Sequence, residues 1–230
     1  GRSRFFVQRT GAVMSVDLTT RIKNLKLKNP VTVASGTFGT SDEYAGYVDY
    51  KKLGAIITKT ITVRPRPGNP MPRICEVSSG MLNAIGLQNK GLADFIEQKI
   101  PHFRKLGVPL IVSIAGESAG EFGLLAKTFD RFRSVVNALE VNLSCPNVES
   151  GGVNFMKKQK RILDAIKAVR CQTKLLIFAK LSPELGDVLE IADNVLKRGA
   201  DGISVINTLR GMSIDINGRT SRIVRDFGAC

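Results

Sequence analysis

Asn142-Leu143-Ser144-Cys145-Pro146-Asn147 sets a thiol between two carboxamides, three residues before it and two after. The preceding Ala138-Leu139-Glu140-Val141 reads as a short buried strand, so Cys145 falls where a parallel strand gives way to its loop. A thiol in that position is a candidate base or nucleophile. Pro146 restricts the backbone directly after it. Asn142 and Asn147 offer paired donors and acceptors to the polar edge of a planar ligand. Taken alone, the hexapeptide also fits a tight turn after a core strand.

Other chemistry-bearing residues recur at the ends of apolar runs. Ser35-Gly36 follows Val31-Thr32-Val33-Ala34, and Lys59-Thr60 follows Ala55-Ile56-Ile57-Thr58. Lys180 follows Leu175-Leu176-Ile177-Phe178-Ala179, and Asn207-Thr208 follows Ile203-Ser204-Val205-Ile206. A lysine ending an apolar strand is costly unless it is paired or functional. The single histidine, His102, lies beside Pro101 in a helical stretch and reads as a partly exposed structural residue.

The elements that would position these groups alternate. Six apolar segments (31–35, 55–59, 110–114, 138–142, 175–181 and 203–206) read as strands. Between them lie helical patterns: Ser41-Asp42-Glu43 capping a helix toward Lys52, a helix through Leu92 to Phe103 that Pro101 must kink or divide, Glu121 to Asp130, Ile162 to Val169, and Leu189 to Leu196 ended by Gly199. Thr60 to Lys90 is too long and too rich in Gly and Pro for an ordinary loop, which marks it as functional. Strand–helix alternation with fully apolar strands predicts a parallel sheet covered by helices. An open doubly wound sheet and a (β/α)8 TIM barrel both satisfy that pattern. Polar residues after nearly every strand favour the barrel, which gathers all strand ends around one mouth. Six strands fall short of the eight a barrel closes with, so the expectation is a carboxyl-truncated barrel over residues 14–230.

Composition bounds the partners. With 43% hydrophobic and 23% charged residues, the 230-residue chain is of globular α/β type. No apolar run approaches the roughly 18–20 residues of a membrane-spanning helix. Four dispersed cysteines with one histidine argue against a zinc cluster and fit reduced thiols in the cytosol. The net charge of +14 invites a polyanion, but the basic segments are separate and lack interleaved aromatics. A phosphorylated cofactor, an anionic substrate or an acidic protein uses such charge equally well, and nucleic acid is the weaker reading. Gly1 to Val13, with three arginines and no acid ahead of Met14, reads as a leader outside the fold, upstream or appended sequence or an organelle transit peptide.

Five motifs occur in order: Ala34-Ser35-Gly36-Thr37-Phe38-Gly39, Ile57-Thr58-Lys59-Thr60, Asn83-Ala84-Ile85-Gly86-Leu87-Gln88-Asn89, Asn142 to Asn147, and Ile206-Asn207-Thr208. Together they resemble the catalytic subunit of class 1 dihydroorotate dehydrogenases. The Asn83 to Leu87 form and Arg64-Pro65-Arg66-Pro67-Gly68-Asn69-Pro70 are more similar to the NAD-linked 1B branch. The resemblance covers about residues 16–228. It implies a flavin-dependent barrel that oxidises dihydroorotate to orotate in pyrimidine (UMP) biosynthesis, in the cytoplasm, with FMN as cofactor. By the same resemblance Cys145 is the base, and Lys59 stabilises charge between flavin and substrate. Ser35, Gly36, Lys59, Thr60, Asn142, Lys180 and Ile206 would hold FMN. Asn83, Ile85, Gly86, Leu87, Asn142, Asn147, Asn207 and Thr208 would hold the substrate. Electrons would pass to NAD through a partner subunit carrying FAD and a 2Fe-2S cluster, around a homodimer of catalytic chains in a heterotetramer. No metal, nucleic acid or membrane belongs to this picture. A related pyrimidine-reducing flavoenzyme and an inactive remnant are the alternatives. Two departures stand out: Ser113 occupies the place of a flavin-contacting asparagine, and the family's last two strands, whose loops grip the FMN phosphate, have no counterpart before Cys230.

Overall fold

The computed structural model describes residues 16–78, 80–143, 155–183, 186–224 and 228–229. β1 (Thr20–Ile22) and β2 (Leu25–Leu27) form an antiparallel hairpin. On β2 the buried Leu25 and Leu27 flank the exposed Lys26, the period-2 pattern of a strand with one face covered. β3 (Ile56–Ile57) opens the main sheet, followed by a second hairpin, β4 (Ile74–Val77) and β5 (Gly80–Asn83). α1 (Gly91–Asp94) runs through a π turn, Phe95–Lys99, into α2 (Ile100–Leu106). Pro101 stands in the first turn of α2. Its missing N–H cannot close an ordinary helical hydrogen bond, so the predicted kink takes the form of this wider turn.

The rest alternates as expected: β6 (Leu110–Ile114), α3 (Ala119–Asp130), β7 (Val136–Asn142), α4 (Phe155–Gln172), β8 (Leu176–Lys180), α5 (Val188–Lys197) and β9 (Gly202–Ser204). Ser118 caps α3 by accepting from the Glu121 N–H at 3.3 Å. Asp187 caps α5 by accepting from the N–H groups of Leu189 and Glu190, both at 3.0 Å. The short strands β10 (Arg210–Gly211), β11 (Ile214–Asp215), β12 (Thr220–Ser221) and β13 (Gly228–Ala229) complete the elements.

The strands β3-β6-β7-β8-β9 lie side by side, all parallel, and a parallel bridge from Thr32 to Ala55 extends the sheet by one further position. The six apolar segments therefore fall in the predicted spatial order as a curled, partial TIM barrel, the first of them contributing a single bridge. The outer face packs Ile56, Leu110, Val112, Leu139, Val141 and Ile177 against the helices. Phe129 of α3 is fully buried there, edge-on to Phe95 at a ring separation of 5.7 Å. On the concave face, Ala55, Ile111, Ala138, Leu176 and Phe178 pack against Leu25 and Leu27, with Ile57 alongside. The β1–β2 hairpin thus plugs the amino-terminal end of the sheet.

Two regions differ from expectation. Residues 41–52 form two 3-10 turns, Asp42–Tyr44 and Tyr50–Lys52, in place of one helix. Aromatic anchoring overrides the local pattern: Phe38 stacks on Tyr44 at 4.8 Å and meets Tyr50 edge-on, while the Tyr50 hydroxyl donates to the Ser41 carbonyl. The excursion after Thr60 is structured, its β4–β5 hairpin joining β13 and β10 in a second sheet of order β10-β13-β5-β4. Among the described residues no helix is long and apolar enough to cross a membrane.

Candidate active site

Alternation along the strands sends one set of side chains into the concave face, and moving toward the carboxyl ends this set turns from apolar to polar. On β7 it runs Ala138, Glu140, Asn142; on β8 it runs Leu176, Phe178, Lys180. Register pairs Ser113 with Glu140 and Asn142 with Lys180, so the polar layer is continuous across three strands.

Two hydrogen-bonded groups form there. In the first, the Ser35 hydroxyl donates to Glu140 Oε1 at 2.7 Å and accepts from Lys180 Nζ at 2.9 Å. Lys180 Nζ stands 3.9 Å from the same carboxylate oxygen. In the second, the Asn142 carboxamide donates to Thr60 Oγ1 at 3.2 Å and accepts from Asn207 Nδ2 at 3.0 Å. Thr60 Oγ1 also lies 3.0 Å from Ser113 Oγ. Ser113 is fully buried, and its hydroxyl meets that of Thr60.

Lys59 lies two residues beyond the inward-facing Ile57. It is half-buried, and among the described residues its ammonium group has neither a hydrogen bond nor an ion pair. Beside Ser35, Gly36 adopts φ 93°, and no atom lies within 4 Å of where a Cβ would stand. The positive φ, rather than crowding by any described residue, explains glycine at this turn.

Asn83 to Leu87 form a separate rim fastened to the same strand end. Asn83 closes β5; Gly86 and Leu87 take left-handed conformations, φ 77° and 55°. This bends the loop back onto the 66–69 turn, where Asn69 N donates to Ile85 O at 3.0 Å and its side chain to Ala84 O at 2.7 Å. A Cβ on Gly86 would come within 3.0 Å of Asn69, so a side chain there is excluded by space as well as by φ. Buried Asn89 ties the loop down. Its oxygen accepts from Gly91 N at 2.8 Å and Thr62 N at 3.3 Å, and its nitrogen donates to Leu87 O at 2.8 Å.

Of the remaining expected residues, Asn207 is half-buried, and its backbone N–H donates to Leu181 O at 2.8 Å. Thr208 is exposed and donates its N–H to Asn207 Oδ1. Ile206 is exposed at the strand end. Cys145 and Asn147 lie outside the described residues. His102 is partly exposed and meets Ser41 Oγ at 3.0 Å and Asp42 Oδ1 at 3.3 Å, away from this rim, as its structural reading required. The cations of the basic 51–73 segment divide. Arg66 pairs with Glu117 and Arg73 with Gln88, whereas Lys51 joins Lys26 and Lys28 around a groove of about 380 Å3 at the opposite end of the strands. Sequence reasoning missed Glu140 and Asn89. The signal for Glu140 was a carboxylate inside an otherwise apolar strand, two residues before Asn142 and on the same face.

Fold and rim together define a (β/α) barrel protein whose polar groups collect at the carboxyl ends of the strands, the face on which such barrels carry their sites. The dihydroorotate dehydrogenase family model matches residues 17–229, and the chain belongs to that family. It is 47% identical over 203 residues to the catalytic subunit of dihydroorotate dehydrogenase B (NAD(+)) of Geotalea daltonii, covering 88% of this chain and 66% of that one. It is 48% identical over 206 residues to the corresponding subunit of Desulforamulus reducens, covering 90% and 67%. The chain thus spans about two thirds of the length of the curated relatives it matches. A crystal structure of DHODH from Eimeria tenella in complex with ferulenol is similar in fold, with a TM-score of 0.66 at 23% identity over 89% of this chain and 62% of that one.

Proposed function

We propose that this chain carries the catalytic rim of an FMN-dependent dihydroorotate dehydrogenase of the NAD-linked type, oxidising dihydroorotate to orotate in pyrimidine biosynthesis. The observation that carries the reading is Lys59, a half-buried ammonium unpaired among the described residues, at the same strand ends as the Ser35–Lys180 and Thr60–Asn142 groups. A cation with no counter-charge among the described residues, beside oriented carboxamides, suits an anionic, planar partner. The open space at Gly36 fits a flat ring lying against backbone.

In this reading Ser35, Gly36, Thr60, Asn142, Lys180 and Ile206 hold FMN, which when bound supplies the hydride acceptor that no side chain provides. Cys145 takes the proton from the ring carbon beside the carbonyl. Its thiol is little ionised at neutral pH, so the loop must lower that barrier with charge or hydrogen bonds. Lys59 offers positive charge where negative charge develops. Asn142 is oriented before any ligand arrives, because Thr60 and Asn207 fix both ends of its carboxamide. Asn83, Ile85, Gly86, Leu87, Asn147, Asn207 and Thr208 line the substrate side. The assembled enzyme would hand electrons to NAD through a cytoplasmic partner subunit bearing FAD and a 2Fe-2S cluster. The relatives' name, catalytic subunit, supports a separate electron-transfer chain.

The test is orotate formation, followed by its near-ultraviolet absorbance, from chain supplied with FMN, dihydroorotate and an artificial electron acceptor. Unaltered chain should form orotate, and Cys145→Ala should lower the rate by about 100-fold or more. Equal rates for the two would remove Cys145 from the mechanism.

A further inference from the structure

Glu140 is assigned no part in the chemistry above, yet among the described residues it is the one acidic group buried in the polar layer of the concave face beside Lys180. Its side chain is 3% exposed and that of Lys180 is 12% exposed. Burying a carboxylate is costly without partners, and partners are present: the Ser35 hydroxyl at 2.7 Å and the Lys180 ammonium at 3.9 Å. Ser35 links the two, donating to the carboxylate and accepting from the ammonium. Its hydroxyl proton is therefore committed to Glu140, which leaves the Ser35 backbone and the neighbouring Gly36 as the surfaces free to meet a ring.

The strands on either side bring no further charge against Glu140. Its register partners are Ser113 on β6 and Phe178 on β8, and Ser113 is itself turned to Thr60. The pair is thus isolated from other ionisable groups on the adjoining strands. Among the described residues Lys59 and Lys180, the lysines of the rim, consequently differ in kind: Lys59 has no counter-charge, and Lys180 is paired with Glu140.

We propose that Glu140 is a positioning residue which, through Ser35, fixes the Lys180 ammonium at the mouth of the barrel and offsets its charge. Among the described residues the rim then presents one net positive charge, at Lys59, where two lysines would otherwise present two. The inference rests on the flavin reading for its consequence, since offsetting Lys180 keeps the reduced, more negative cofactor from being over-stabilised. The pair itself is independent of that reading.

Both levels are testable with the same variants. In flavin-free chain, labelling of Lys180 by an amine-selective reagent is measured by peptide mass spectrometry, with Lys59 as internal reference. Glu140→Gln keeps the shape and an acceptor for Ser35 but removes the charge. It should raise Lys180 labelling several-fold relative to Lys59, and Glu140→Asp should restore the original ratio. Ser35→Ala, which cuts the bridge and leaves both charges, should also raise labelling and serves if Glu140→Gln fails to fold. In chain loaded with FMN, Glu140→Gln should move the flavin midpoint potential in the positive direction, and Glu140→Asp should leave it unchanged. Unaltered labelling in both Glu140→Gln and Ser35→Ala overturns the pairing, and an unshifted potential in flavin-loaded Glu140→Gln overturns its electrostatic role. Failure of every variant and of the parent to take up FMN counts against the proposed function alone, and the labelling ratio then decides for or against the pair.

Discussion

Asn142 and Lys180 are register partners at the open ends of β7 and β8, and each is fastened to a different part of the chain. Asn142 reaches Thr60 and Asn207; Lys180 reaches Ser35. One rung of a parallel ladder therefore gathers groups from three further strand ends. This is the advantage of the barrel: residues distant in sequence meet at one rim because every strand ends there.

Lys59, unpaired among the described residues, separates function from stability. Lys59→Ala removes no hydrogen bond made to a described residue, so the unfolding free energy should change by no more than about 0.5–1 kcal/mol. Reduction of bound flavin by dihydroorotate, followed by stopped-flow absorbance, should slow by about 100-fold or more. A large loss of stability with unchanged reduction would assign the residue to the fold.

Asn89 holds the 83–87 rim in place without touching the strand ends itself. Asn89→Ala leaves the N–H groups of Thr62 and Gly91 without their acceptor, a loss of about 1–3 kcal/mol. Hydrogen exchange should quicken across residues 83–88 and remain unchanged in β7 and β8. Uniform quickening would mean that the loop is not the part Asn89 secures.

The outer face depends on Phe129, fully buried between α3 and the ring of Phe95. Phe129→Ala should cost about 3–5 kcal/mol, read as a lowered denaturant midpoint at constant slope. Phe129→Leu should recover more than half of that.

Acid stability has an identifiable contributor in Asp130. Burial alone would raise its carboxyl, but the N–H of Lys174, the Thr173 hydroxyl and the charges of Arg133 and Lys174 outweigh it and hold the group below the usual aspartate value. A group depressed in the folded state stabilises above its unfolded value, about 3.9, and that stabilisation is lost as pH falls toward the folded value. Melting temperature measured downward from pH 6 should therefore fall less steeply in Asp130→Asn than in the parent below about pH 4. Parallel curves would exclude Asp130 as a source of the acid dependence.

Much of this architecture was legible in the chain, and the reasons for the rest are local. Leu110–Ile114 and Val136–Asn142 are apolar runs of strand length, and their order specified a parallel sheet whatever its closure. The helix expected after Ser41 was overridden by Phe38, Tyr44 and Tyr50, whose packing is tertiary and leaves no periodic trace. The β1–β2 hairpin is only eight residues with its turn, Thr20 to Leu27 framing Lys23 and Asn24, and looks polar in sequence because just Leu25 and Leu27 are fully buried. At the rim, Lys59, Lys180 and Asn142 announced themselves by ending apolar strands. Glu140 did not, because a lone carboxylate inside such a run reads as part of the strand until Ser35 and Lys180 are seen to meet it.

The most direct measurement is the visible spectrum of chain supplied with FMN, before and after dihydroorotate is added without oxygen. The proposed function requires that the protein retain the flavin through gel filtration and that its absorbance near the flavin maximum bleach on addition, with no bleaching in Cys145→Ala. Flavin that is retained and left unbleached by dihydroorotate in the parent would contradict the assignment of this rim to dihydroorotate oxidation.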